Sequence, residues 1–274
     1  MVVMERPLPL VDETRQAFDA VAATYDRSNA ENPILSVMRA QVVAAIVAHV
    51  PKNGLILDLG CGPGADEEAL ARAGYSVTAI DSSAEMIEQT RQRARHTGLE
   101  ARIDAYRLGI HELDQLPTER YDLACSNFGP LNCVPSLHAA AHLIRARLRP
   151  RGMLVASVIG RICPWELALY LSRGDRSRAR IRYARQFVAV PLAGGSVWTR
   201  YYTPREFERA FSAAGFRRLT LHALGLFVPP PYMESFARRH HRLVAWLQRC
   251  DRWLGGWPGF RSMGDHFLIV MRKE

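Results

Sequence analysis

Apolar positions along the chain follow two rhythms. Short apolar runs near 55–59, 75–80, 101–107, 121–126 and 152–159, each bounded by turn-forming residues, read as buried strands. Between them, 65–73, 83–96 and 135–148 carry the spacing of amphipathic helices. That alternation predicts an α/β fold with a parallel sheet and helices on both faces. Two helical segments, 12–25 and 33–50, precede the first strand. After residue 160 the rhythm breaks into a short apolar helix (164–171), an arginine-rich run and a hairpin. The hairpin would turn at Gly194-Gly195. Regular structure resumes at Thr203-Pro204-Arg205-Glu206, where threonine can cap, proline suits the first helical position and glutamate completes a capping box. A helix to about 214, a strand at 216–225, a helix at 232–254 and a strand at 265–271 complete the pattern. No internal repeat or low-complexity segment interrupts it.

The first strand ends unusually. LILDLGCGPG (55–64) is an apolar run that carries an acid, Asp58, and then spills into three glycines. Glycine lets backbone approach a ligand closely and tolerates positive φ. The helical pattern that follows supplies a helix N-terminus at the same place. The spacing is Gly60-x-Gly62-x-Gly64, not the G-x-G-x-x-G that cradles a dinucleotide pyrophosphate. An acid before the glycines would gain nothing from pyrophosphate, whereas it would attract a ligand carrying an ammonium and a sulfonium. Asp81 closes the next strand, where it could accept from both hydroxyls of a ribose.

At these residues the chain resembles the class I S-adenosylmethionine-dependent methyltransferases. The resemblance also covers FDAVAATYD (18–26), YDLACSNFG (121–129) and LRPRG (148–152), and so spans roughly residues 15–160. It implies a doubly wound, seven-stranded, mostly parallel Rossmann-like sheet with the last strand antiparallel. It further implies one methyltransferase domain over 1–274, with an N-terminal helical cap (1–50), a lid insertion after the fifth strand (161–203) and an added helix before the last strand (229–260). Carried over residue by residue, Gly60, Cys61 and Gly62 become backbone contacts to the methyl donor. Asp58 would lie near its ammonium, Asp81 and Ser82 at its ribose, and Met86 over one adenine face, unless Met86 is plain helix packing. The third motif departs from the pattern: Gly109-Ile110-His111 stands where relatives carry Gly-Asp, so Ile110 offers only backbone groups and His111 is a neighbour of the adenine or an ordinary loop histidine. Asn127 and Phe128 belong to the fourth motif, beside the transferable methyl. Tyr25 and Arg39 would fold over the cofactor; a core aromatic and a surface charge are the competing readings.

Composition bounds the rest. The formal charge of +9 divides unevenly: residues 1–144 carry 12 basic and 19 acidic side chains, residues 145–274 carry 24 and 8. Lys52 and Lys273 are the only lysines. An anionic acceptor or an anionic surface suits so much arginine, and a genome-wide preference for arginine explains it equally well. Arg178, Arg182 and Arg185 are the subset of the 173–185 run that could face such an acceptor, and the amphipathic 232–254 segment could lie on a membrane surface or pack on its own domain. Five cysteines without C-x-x-C spacing argue against a disulfide framework or a zinc site, the first residues do not read as a secretory leader, and no apolar run reaches bilayer length; a cytoplasmic setting is expected. Pro230-Pro231-Tyr232 imitates the fourth-motif tetrad of base-amine methyltransferases but lies too late in the chain. Asn127, Asn132, His138, Trp198, Arg200, Tyr201, Tyr202 and Tyr232 are candidates for an acceptor pocket, and no general base is identified among them. The expectation is methyl transfer from S-adenosylmethionine, leaving S-adenosylhomocysteine, to an oxygen, nitrogen or sulfur of a small molecule. A nucleic-acid methyltransferase and a cofactor-binding regulatory or membrane-associated protein without turnover are the alternatives. Oligomeric state is not readable.

Overall fold

The computed structural model describes residues 8–117, 120–192 and 194–274, without side chains at Leu8, Pro9 and 26–30. The Met1 to Pro7 stretch read above for a leader lies outside them. Two helices, α1 (Leu8–Ala30) and α2 (Pro33–His49), precede the sheet. Then β1 (Leu55–Leu59), α3 (Ala65–Arg72), β2 (Ser76–Asp81), α4 (Ala84–Thr97), β3 (Ile103–Arg107), β4 (Tyr121–Ser126), α5 (Leu137–Arg147) and β5 (Leu148–Ile159) alternate. The segment between the fifth strand and the next long helix contributes α6 (Pro164–Ser172), α7 (Arg176–Arg180) and a hairpin of β6 (Val188–Leu192) and β7 (Gly195–Thr199). Last come α8 (Pro204–Ala213), β8 (Phe216–Leu224), α9 (Glu234–Arg239), α10 (His241–Leu254) and β9 (His266–Lys273).

Seven strands form one sheet in the order β3-β2-β1-β4-β5-β9-β8. The pairs from β3 to β5 are parallel, and β9 runs antiparallel to both β5 and β8. Strand order reverses at β1 and β4, and ligands of such sheets bind at the carboxyl ends beside that switch. Period-two alternation sends Leu57, Leu59, Leu154, Ile269 and Met271 to the face covered by α5 and α8, where Phe207 stacks on Phe211 at 4.6 Å. Ile56, Val77, Leu123, Val155 and Val270 face the opposite layer. There α2 presents Ile34, Met38, Val42 and Ile46, four residues apart along one stripe.

Local chemistry sets the element ends. Asn32 caps α2, its Oδ1 accepting the amides of Ile34 (3.0 Å) and Leu35 (3.2 Å). Its Nδ2 donates to the Pro231 carbonyl at 2.9 Å, which fixes the start of α2 against the segment ahead of α9. The Thr203/Glu206 capping box opens α8 as the sequence predicts. Several boundaries differ. Helix α1 runs Leu8–Ala30, beyond 12–25 at both ends; β3 starts at Ile103, since 101–102 form a turn; β5 starts at Leu148, which pairs with Tyr121 of β4 ahead of a register shift. The 232–254 helix is broken, because His240 (φ −115°, ψ 40°) leaves helical geometry between α9 and α10.

This segment is tied to the sheet by one buried cation. Arg182, 8% exposed, donates through Nε to Glu166 on α6 (2.9 Å), through Nη2 to the Asp265 carboxylate (2.6 Å) and through Nη1 to the carbonyls of Gly160 (3.1 Å) and Asp265 (3.0 Å). The second Asp265 oxygen accepts from His266 Nδ1 at 3.0 Å. Burial by itself would raise the Asp265 carboxyl, yet Arg182 and His266 hold it well below the usual carboxylate range. Cys163, Glu166 and Asp265 are the only described residues grouped closely enough to hold a metal ion, and the Arg182 guanidinium ion-pairs with both acids of that group. Replacing Arg182 by alanine strands two buried carboxylates and is expected to cost about 3–5 kcal/mol, read as a lower urea midpoint. Arg182→Lys keeps the charge without the planar fork and should recover part of the loss.

Candidate functional site

A cavity opens at the carboxyl ends of β1, β2 and β4, and its walls are built from short turns. After β1 the chain turns through Gly60 (φ +88°), Gly62 (φ +56°) and Gly64 (φ +83°). A Cβ on Gly60 would meet Pro130 at 2.5 Å, so glycine is required there by packing as well as by φ. At Gly62 a Cβ would meet nothing within 4 Å, because that backbone faces the open cavity. The amides of Gly60 and Cys61 donate to the Ile80 carbonyl at 2.8 and 3.0 Å, which pins the turn to β2.

Asp81, at the end of β2, holds two loops at once. Its Oδ2 accepts the Gly62 amide at 3.0 Å and its Oδ1 the Ser83 amide at 2.9 Å. Burial outweighs those bonds and pushes the carboxyl up to about 6. Ser83 caps α4, accepting the Met86 amide, and its Oγ donates to Asp19 of α1 at 2.6 Å. Met86 is buried and lines the cavity wall beside Ser82, while Leu108, Gly109, Ile110 and His111 line it beyond β3.

Opposite, the loop after β4 carries a chain of hydrogen bonds. Phe128, in left-handed backbone (φ +59°), donates its amide to Ser157 Oγ at 2.7 Å. Ser157 donates to Asn127 Oδ1 (2.8 Å), Asn127 Nδ2 donates to Asp66 Oδ2 (2.8 Å), and Arg39 Nη1 donates to Asp66 Oδ1 (2.8 Å). The Arg39 guanidinium also lies 5.3 Å from the centre of the Phe128 ring. This chain fixes three cavity-lining side chains, Asn127, Asp66 and Arg39, in one orientation. A strained backbone at Phe128 persists because its neighbours over-determine it.

Beneath the glycine turn two carboxyls face one another. Glu67 is fully buried and neither of its oxygens has another partner; Asp58 is 2% exposed with Oδ1 likewise unmatched. Burial raises both groups, Asp58 to about 6 and Glu67 well above its ordinary range; Asp58 raises Glu67 further, whereas Glu67 draws Asp58 down. Glu67 therefore holds its proton more tightly than Asp58 does. Asp58 accordingly stands behind the turn and does not line the cavity.

The roof comes from α1 and the hairpin. Val11, Thr14, Phe18 and Tyr25 of α1 and Val197 and Thr199 of β7 line the cavity. Trp198 clamps the two elements, its amide donating to Thr14 Oγ1 (3.0 Å) and its Nε1 to Glu13 (2.6 Å).

Of the thirteen residues predicted for the cofactor, all except Asp58 line this one cavity: Tyr25, Arg39, Gly60, Cys61, Gly62, Asp81, Ser82, Met86, Ile110, His111, Asn127 and Phe128. The acceptor-pocket expectation fares worse. Asn127 lines the cavity, but Asn132 is buried in bonds to Ile159 and Arg200, His138 is exposed on α5 and Trp198 points at Glu13. Arg200 stacks on Tyr202, Tyr201 on Arg182, and Tyr232 is 56% exposed. Nor does the arginine run face the cavity. Arg182 is spent on Glu166 and Asp265, Arg178 pairs with Asp175 and Arg185 is exposed. Among the cavity-lining residues that were not predicted, Leu35, Cys133, Val134, Pro135, Ile159, Val197 and Thr199 have no motif; only the apolar periodicity of their elements marks them. Asp66 was readable in principle, as one of three acids in the first turn of α3.

The residues suit S-adenosylmethionine. Open backbone at Gly62 leaves room for a ligand, Asp81 has acceptor capacity beyond its two amide bonds, and Asp66 and Asp81 supply negative charge to a cationic ligand. Residues 56–152 match a family model described as a methyltransferase domain. A ubiquinone biosynthesis O-methyltransferase of Actinobacillus pleuropneumoniae serotype 5b (strain L20) is 34% identical over 164 residues, 55% of this chain and 66% of that protein. The chain thus spans about two thirds of the length of that curated relative. Among solved structures, the [4+2]-cyclase SpnF superposes with a TM-score of 0.64 at 18% identity, covering 94% of each chain. The Burkholderia thailandensis 1,6-didemethyltoxoflavin-N1-methyltransferase, solved with 1,6-didemethyltoxoflavin and S-adenosylhomocysteine, gives 0.61 at 16% identity, covering 100% of this chain and 92% of that one. At such identities these two structures speak for the fold alone. With its glycine turn, strand order and matched domain, the chain belongs to the class I S-adenosylmethionine-dependent methyltransferase family.

Proposed function

We propose that this protein binds S-adenosylmethionine in the cavity and transfers its methyl group to an ionisable hydroxyl of a small, apolar acceptor. The observation that carries the reading is the composition of the acceptor side. Leu35, Phe128, Val134, Pro135, Ile159 and Val197 make it apolar, and its one titratable group, the Cys133 thiol, is pushed up to about 12 by burial. Such a wall favours an uncharged body over the anionic acceptor that the arginine content suggested, and it offers no base. The acceptor must then lose its own proton, which a phenol or enol does far more readily than an alcohol or an amine. Names of relatives such as the ubiquinone biosynthesis O-methyltransferase support oxygen as the acceptor atom.

The cofactor supplies the chemical activation, a methyl on a sulfonium that leaves as neutral thioether. This chain's residues bind and align it. Asp81 would accept from the ribose hydroxyls, the Gly60–Gly62 backbone and Asp66 would hold the amino acid end, and Met86 with Ile110 would sandwich the base. Amides at the start of the 3-10 turn after β3 lack helical partners and are free to donate to the adenine ring in place of the missing acid. Roof residues Phe18 and Tyr25, packed edge to face at 6.0 Å, exclude water from the transfer path.

Three measurements test this. Asp81→Ala should weaken S-adenosylhomocysteine by about 3 kcal/mol, roughly a hundredfold in Kd, in calorimetry; unchanged affinity would remove Asp81 from the site. Because the free carboxyl titrates at about 6 and ribose hydroxyls favour its ionised form, binding releases a proton below that pH. Affinity should therefore fall roughly tenfold between pH 7.5 and pH 5, and Asp81→Asn should flatten that dependence. Finally, methyl-labelled S-adenosylmethionine should pass label to phenols of graded acidity, with rates that rise with pH up to each acceptor's own pKa. Label in RNA and none in any phenol or small-molecule extract would overturn the reading.

A further inference from the structure

Helix α10 leaves an apolar stripe without a partner. Val244 and Asp251 face the body of the protein, and Asp251 accepts the amides of Phe227 (2.7 Å) and Val228 (3.4 Å), which holds the helix in place. Leu243, Trp246 and Trp253 lie on an adjoining row of the same helix and are 46%, 58% and 73% exposed. Trp257, 51% exposed, continues the row past the helix end and meets Trp253 edge to face at 6.0 Å. Arginines flank it: Arg239, Arg242, Arg249 and Arg252 are exposed, and none pairs with a carboxylate among the described residues. The only acid on α10 is the buried Asp251.

We infer that this face docks on an anionic lipid surface, with the tryptophans inserted at the headgroup level and the arginines on the lipid phosphates. Tryptophan favours that boundary because its ring is apolar and its N–H is wet. An arginine beside it can lay its stem along the apolar region and keep its fork in the headgroups. No described helix is long and apolar enough to cross a membrane, so the helix would lie in the surface plane. Charge argues against a second copy of the chain, since a two-fold contact would press unpaired arginines against their own counterparts.

The test is flotation of the full-length protein with vesicles of phosphatidylcholine alone and of phosphatidylcholine mixed with phosphatidylglycerol. Wild type should float with the mixed vesicles, less as salt rises, with a blue shift of tryptophan emission. The W246S/W253S/W257S variant should lose at least about tenfold in partitioning while keeping its circular dichroism and thermal midpoint, since those rings touch little of the core. R242Q/R249Q/R252Q should lose the preference for phosphatidylglycerol. Wild type left unbound by both vesicle types, or triple variants that float as well as wild type, would overturn the inference. A concentration-dependent dimer abolished by W246S/W253S/W257S, with no vesicle binding, would instead assign the face to a second copy.

Discussion

Two backbone amides on one carboxylate organise the whole upper edge of the sheet. Asp81 takes the Gly62 amide on one oxygen and the Ser83 amide on the other, so the turn after β1 and the loop after β2 cannot move independently. Ser83 extends the tie to Asp19, and thereby to α1, whose other side is clamped by Trp198 to the hairpin. Floor, wall and roof of the cavity thus share one anchor. The cost is a buried acid whose carboxyl rises to about 6, an example of a site that concentrates perturbed groups where a ligand is to be held.

Below this edge, two further buried charge arrangements do different work. Arg182 gathers Glu166, Asp265 and two carbonyls, and it converts a segment with little core of its own into a fixed part of the sheet's edge. The Asp58–Glu67 pair contains no cation and stays buried by keeping a proton. Asp66, next to Glu67 in sequence, is matched instead by Arg39 and Asn127.

Much of this was legible in the sequence, for a physical reason. The cofactor-side residues lie in turns whose geometry is dictated locally: glycines needing positive φ at 60 and 62, an acid closing a strand at 81, a serine cap at 83. The sheet followed from apolar alternation, and its antiparallel last strand from the family resemblance. Asp58 lies behind the turn beside Glu67, and sequence gives no sign that two acids will be buried together there. Of the residues named for an acceptor pocket only Asn127 lines the cavity, because Trp198, Arg200, Tyr201 and Tyr202 are consumed by contacts to α1, Arg182 and one another. Helix 232–254 broke at His240, a residue with no helix-breaking signature.

Strand β9 has a topological consequence of its own. It is the last strand in sequence, yet it lies inside the sheet, hydrogen-bonded to β5 on one side and β8 on the other. Until it arrives, two neighbouring strands present bare edges that invite pairing with other chains. Asp265 and His266, at its start, also carry part of the grip on Arg182, so the segment that carries Arg182 cannot be secured before the sheet is complete. The sheet's edge and the grip on Arg182 are thereby coupled through one strand.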